Sequence, residues 1–180
     1  NLDLALAVYY IIMPAEASTN LARFDGMRYG LHKDGGNLLE DYRQTKGAGF
    51  GKEVRRRILL GAYVLSAGYY DAYYGKAQIA RNLLKKEFDK TFKEVDFIAT
   101  PTVPFIAWKI GEKNDPLSAY LADIFTVTAN IVGVPAISVP SGFSEVEGKK
   151  LPLGIQFMAS QEREDLLFEI GQKFEKMQGI

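Results

Sequence analysis

The sequence predicts an α/β layered fold. Three observations carry that expectation. Long segments in the first half have apolar residues at three- and four-residue spacing. Short apolar runs bounded by Pro and Gly appear only later. In that later part runs and helical segments alternate.

Asp3 to about Arg23 is apolar and Ala-rich and reads as helix, with Pro14 expected to kink it or split it in two. Phe24-Asp25-Gly26 ends it, with Gly26 suited to a left-handed conformation. Residues 27–48 are rich in Gly and polar side chains. They read as a long loop holding one short helix near Leu38 to Tyr42, and long loops of this kind are often functional.

Lys52 to about Val95 is helical in pattern. Val54, Ile58, Ala62 and Leu65 form one stripe, Gly68 interrupts it, and a second helix follows from about Tyr69 to Phe92. Phe97-Ile98-Ala99-Thr100 reads as a buried strand entering a loop at Pro101 and Pro104. Asp115 as N-cap with Pro116 at the first helical position starts a helix expected to reach about Val132. Ala136 to Val139 and Leu153 to Met158 read as two further strands, joined by a polar, Gly-containing link from Ser141 to Lys150. An amphipathic helix from about Glu162 to Met177 closes the chain. Three strands are few for the helices they must cover. Leu2 to Val8 is apolar and opens without a helix cap, which reads as a chain cut inside a larger fold.

Composition narrows the function. The 180 residues include 47% hydrophobic and 24% charged side chains, the balance of an ordinary globular protein. Basic and acidic residues number 22 each, so a basic excess for gripping nucleic acid is missing and direct nucleic-acid binding is not supported. With no cysteine, disulfides and thiolate zinc sites are excluded, and a reducing cytoplasm is the default compartment. A histidine-based site would have to use His32, which lies in a polar loop and reads as an exposed imidazole. No run of about 18 or more apolar residues reads as a membrane span.

Single residues also have bland readings. Arg55-Arg56-Arg57 alone reads as a solvated basic face, although neighbours on a helix differ in direction by about 100°. Asp123, among Leu121, Ala122, Ile124 and Phe125, needs a partner or a ligand, and a structural salt bridge would serve. The Tyr63 to Tyr74 stretch reads as core and interface packing. Glu16 and Glu53 could form an acid/base pair, but nothing in the sequence brings them together.

Several stretches together resemble one known family. They are residues 9–26 (YYIIMPAEASTNLARFDG), 49–61 (GFGKEVRRRILLG) and 66–74 (SAGYYDAYY), then Thr100-Pro101-Thr102, Asp123-Ile124-Phe125-Thr126, residues 133–140 (GVPAISVP) and Leu153-Gly154-Ile155-Gln156. Over nearly its whole length the chain resembles the C-terminal region of the amidase signature family. The EASTNLARFDG and EVRRRILLG stretches are similar to the branch that serves as the glutaminase component in tRNA-dependent amidotransferases. The resemblance implies a mixed β-sheet between helical layers, with residues 1–180 as the C-terminal part of one domain. It implies amide hydrolysis by a Ser nucleophile, a second Ser and a Lys base in an upstream Gly/Ser-rich signature. No such run occurs among residues 1–180, where the serines are scattered, so no catalytic residue is assigned here.

For substrate, the resemblance implies that Arg57 holds the α-carboxylate of glutamine, that Asp123 holds its α-amino group, and that Tyr9 stands at the pocket mouth. It implies B and C subunits as partners, with tRNA bound mainly by the B subunit, and ATP and Mg used by that partner rather than by this chain. A cytoplasmic or organellar-matrix setting follows. A stand-alone amidase of the same family and a non-catalytic helical scaffold remain the alternatives.

Overall fold

The computed structural model describes residues 2–112 and 120–179, without the side chains of Leu2 and Asp3. In chain order the elements are α1 (Leu2–Leu21), α2 (Leu38–Gly49), α3 (Lys52–Val64), a π-helical turn (Tyr70–Gly75), α4 (Lys76–Thr91), β1 (Phe97–Pro101), α5 (Thr126–Val132), β2 (Ala136–Val146), β3 (Lys149–Ala159) and α6 (Glu164–Gln178). They fall into two compact units. One comprises Tyr9–Ile79; the other takes the residues up to Val8 and those from Ala80 onward.

In the unit of Tyr9–Ile79, α1 is not split at Pro14. The ring is fully buried, and the adjoining backbone packs against Gly61 of α3, where a Cβ would come to 1.9 Å from the Pro14 carbonyl oxygen. Close packing of one helix backbone on another holds α1 through a position where the helical N–H is missing. Gly26 takes φ +79° as expected, and a Cβ there would meet the Leu31 carbonyl oxygen at 2.4 Å.

The helix α2 is longer than the expected short segment. Asn37 caps its start, its side chain accepting from the Glu40 N–H at 3.0 Å. At the other end the Arg55 guanidinium donates to the carbonyls of Phe50 (2.6 Å) and Gly47 (2.7 Å). Gly68, at φ +84°, separates α3 from the π-helical turn, as expected. The tyrosines that follow are not core. Tyr63, Tyr69 and Tyr73 cluster with ring centroids 4.4 to 6.3 Å apart, yet each stays exposed. The Tyr69 hydrogen bond holds the Tyr63 phenol up at about 12.

In the other unit the three strands form a sheet in the order β1-β3-β2, antiparallel throughout. The expectation of an α/β fold holds. β1 is a half-exposed edge strand rather than a buried one. The Ser141 to Lys150 link is strand as far as Val146 and again from Lys149, closed by the two residues Glu147 (φ +52°) and Gly148 (φ +72°). Two successive positive φ values match the twist of an antiparallel hairpin. Pro140 lies on the edge strand β2, and the register shifts between Pro140 and Gly142. Pro152 lies where β3 is paired to β2 alone, so its missing N–H breaks no ladder bond on the open side.

Val139, Phe157, Ala159 and Leu167 form the core between sheet and α6, with Ile137, Ile155, Ile170 and Phe174 against it. Gly171 lets α6 approach β2, its Cβ position 3.3 Å from Val139. Gln156 alternates with Ile155 and Phe157, so it points to the opposite face. There its side chain reaches the Phe125 carbonyl ahead of α5. The sheet thus lies between helical segments. The expected helix start at Asp115-Pro116 lies outside the described residues. The expected continuous run to Val132 is broken, because 122–125 is a turn and α5 begins at Thr126.

Candidate functional site

The three adjacent arginines of α3 have three different surroundings, as helical geometry requires. Arg55 caps α2. Arg56 grips Glu53 with two hydrogen bonds, Nε to Oε2 at 2.9 Å and Nη2 to Oε1 at 2.8 Å. Arg57 donates from Nε to the same Oε1 at 2.7 Å, and its Nη1 lies 3.6 Å from the Met13 sulfur. Arg57 is therefore oriented by Glu53, one helical turn earlier, through the Nε edge. Its Nη1 end meets only a weak acceptor, thioether sulfur, among the described residues. A guanidinium held this way can give parallel N–H bonds to a carboxylate.

The electrostatics agree with that picture. Hydrogen bonds from Arg56 and then Arg57 hold the Glu53 carboxyl at about 2, well below its ordinary value. Burial works against the Arg57 charge, but the Glu53 hydrogen bond and charge, with smaller contributions from Tyr9 and Tyr10, outweigh it and raise its pKa. Tyr9 packs edge-on against Tyr10 with ring centroids 5.0 Å apart. Arg57 and Tyr9 belong to the same unit.

Asp123 belongs to the other unit. It does not lie inside an apolar helix, as the sequence suggested, but in the turn that feeds α5, half-buried. Its backbone carbonyl accepts from the N–H groups of Thr126 (3.0 Å) and Val127 (2.9 Å) and from the Thr126 hydroxyl (3.2 Å). This places the side chain at a bend instead of along a helix face. Glu53 does not pair with Glu16, which is exposed, and His32 is exposed as expected.

Sequence reasoning missed two supporting residues. Glu53 stands four residues before Arg57, a spacing that marks ion pairs on helices and was legible. Gln156 is a buried polar residue in an apolar strand, a feature that alternation alone could have flagged. A groove of about 600 Å³ in the strand-containing unit is lined by Val103, Phe105, Trp108, Leu153 and Ile155 among others. A cavity of about 230 Å³ in the helical unit is lined by residues such as Phe24, Leu31 and Phe50. Neither contains Tyr9, Arg57 or Asp123.

Comparison with known proteins supplies the context. The A subunit of glutamyl-tRNA(Gln) amidotransferase from Thermodesulfovibrio yellowstonii is 54% identical over 97% of this chain, which spans 36% of that relative. The crystal structure of the A subunit of the Thermotoga maritima glutamyl-tRNA(Gln) amidotransferase matches 89% of this chain and 29% of its own with a TM-score of 0.59 at 42% identity. A bacterial aryl acylamidase of the amidase signature enzymes shares the fold, with a TM-score of 0.57 at 20% identity over 89% of this chain and 31% of its own. The sequence model of the amidase family covers residues 1–168, and the chain belongs to that family.

Proposed function

We propose that residues 1–180 are the C-terminal part of a single amidase-signature domain. In this reading the whole protein is the glutamine-hydrolysing subunit of a tRNA-dependent amidotransferase. The observation that carries the reading is 54% identity to the A subunit of a glutamyl-tRNA(Gln) amidotransferase across 97% of the chain, in a protein of which it spans 36%. The Glu53-oriented Arg57 supports it, because a cation of fixed geometry suits the α-carboxylate of an amino acid.

In this reading Arg57 binds the α-carboxylate of glutamine, Asp123 its α-ammonium group, and Tyr9 borders the pocket mouth. The side-chain amide then extends toward a Ser-Ser-Lys group in the part of the protein beyond these residues. There the serine oxygen attacks the amide carbon, ammonia leaves, and water releases glutamate from the acyl-enzyme. The ammonia passes to a partner B subunit, which activates the Glu-tRNA(Gln) carboxyl with ATP and Mg²⁺ and amidates it. A C subunit completes the complex. No described helix is long and apolar enough to cross a membrane, and the reading places the complex in the cytoplasm or an organellar matrix.

The test is reconstitution. The full-length protein, with B and C subunits, is incubated with glutamine, ATP, Mg²⁺ and Glu-tRNA(Gln). Formation of Gln-tRNA(Gln) is the expected result. Hydrolysis of small amides with no gain from the partners and no amidated tRNA would favour a stand-alone amidase instead.

A further inference from the structure

We infer that Gln156 is a positioning residue for the Asp123 carboxylate, an inference that rests on reading Asp123 as the ligand of the glutamine α-ammonium group. Gln156 lies on the central strand β3, directly between Thr100 of β1 and Ser138 of β2 in the register, and is 4% exposed. Its amide nitrogen carries two N–H donors and both are used. One goes to the Thr100 hydroxyl at 3.2 Å and the other to the Phe125 carbonyl at 3.1 Å.

Phe125 is two residues beyond Asp123, in the same four-residue turn. The backbone-to-backbone bonds described for that turn are local. Asp123 N–H donates to the Tyr120 carbonyl, and Thr126 and Val127 donate to that of Asp123. Bonds between residues three or four apart set the shape of the turn but not its place over the sheet. The Gln156 amide links the turn to the central strand across 31 residues of sequence, and its bond to Thr100 fixes the amide in turn. A buried amide with both donors engaged is costly to displace. A carboxylate that must face a substrate cation needs such a support, because charge-assisted hydrogen bonds are sensitive to geometry.

The test uses the full-length chain in its assembled complex and two substrates. Glutamine carries the α-ammonium group; 4-carbamoylbutanoate keeps the carboxylate and the amide but lacks it. Gln156→Met preserves size and removes both donors. It should raise the KM for glutamine about tenfold, worth ~1.4 kcal/mol, and leave kcat and the KM for the des-amino analogue unchanged. Asp123→Asn should lose the same discrimination. Thr100→Val, which frees one end of the amide, should lose part of it and keeps the question open to measurement if Gln156→Met does not fold.

Equal KM increases for both substrates, or a fall in kcat for both, would make Gln156 a support of the fold and overturn the inference. Discrimination intact in Gln156→Met, or in Thr100→Val where the former does not fold, but lost in Asp123→Asn would overturn it while sparing Asp123. Discrimination intact in Asp123→Asn would remove the underlying reading, and the inference with it.

Discussion

Gly61 of α3 meets Pro14 of α1 backbone to backbone: a Cβ at Gly61 would stand 1.9 Å from the Pro14 carbonyl oxygen and 2.6 Å from its carbon. The two nearest atoms are main-chain atoms of a helix and the third, the Ser18 Cβ at 2.7 Å, is fixed directly to that backbone, so nothing can swing aside. Gly61→Ala should therefore destabilise the protein despite alanine's better helix propensity. The expected net cost is about 1–3 kcal/mol, the range for overpacking a well-packed site. Gly47→Ala in α2 is the control, since nothing lies within 4 Å of its Cβ position. There propensity acts alone, and stability should rise by roughly 0.5–1 kcal/mol. Chemical unfolding of both variants measures the contrast, and equal effects would contradict the close approach.

Glu53 should titrate far below an ordinary carboxylate, at about 2, because Arg56 and Arg57 hydrogen-bond to its charged form. Its folded pKa lies below the ordinary 4.5. The stability it contributes is then present above pH 4.5 and fades as the pH falls from there toward 2. Glu53→Gln should remove that contribution, a modest one of roughly 0.2–1 kcal/mol for a half-exposed pair. The gap between variant and parent should close over the same interval. Carboxyl NMR titration reads the pKa directly, and a midpoint near 4.5 would mean that the two arginines do not hold the group.

Gly154 of β3 sits beneath the hydroxyl pair of Thr102 and Ser138, which are 2.6 Å apart. A Cβ there would come to 2.8 Å from the Thr102 oxygen and 3.1 Å from that of Ser138. Gly154→Ala should part the two hydroxyls and cost about 0.5–1.5 kcal/mol, the net worth of one hydrogen bond. Ser138→Ala removes the bond beforehand, so adding Gly154→Ala to it should cost less than in the parent. A double-mutant cycle with no coupling would show that the glycine is not there for the hydroxyl pair.

Much of this architecture was legible because periodicity and Gly/Pro placement act locally. The helix α3, the Gly26 and Gly68 breaks and the closing helix needed only nearby residues. What was not legible depends on partners remote in sequence. Pro14 read as a break because its packing on Gly61 is a tertiary contact. The hairpin strands read short because Pro140 and Pro152 look like breakers until the sheet shows which of their edges are unpaired. The helix α2 read short because Arg55, beyond its end, supplies its cap. At the site, Arg57 and Asp123 were singled out through family resemblance. The Glu53 support was missed although its spacing four residues before Arg57 made it legible, whereas the link from Gln156 to Phe125 joins segments that no local pattern connects.

The most direct test of the account is the nitrogen-donor comparison in the assembled complex with full-length protein. Arg57→Ala and Asp123→Ala each remove one partner of a proposed desolvated charge pair with glutamine. Such a loss typically costs about 2–5 kcal/mol, or roughly 30-fold to several thousand-fold in kcat/KM. Glutamine-dependent amidation should fall by that factor in both variants. Amidation supplied with free ammonium should stay at the parent level, because it bypasses glutamine binding. An equal fall with both donors would make the two residues structural or interfacial and would contradict the account.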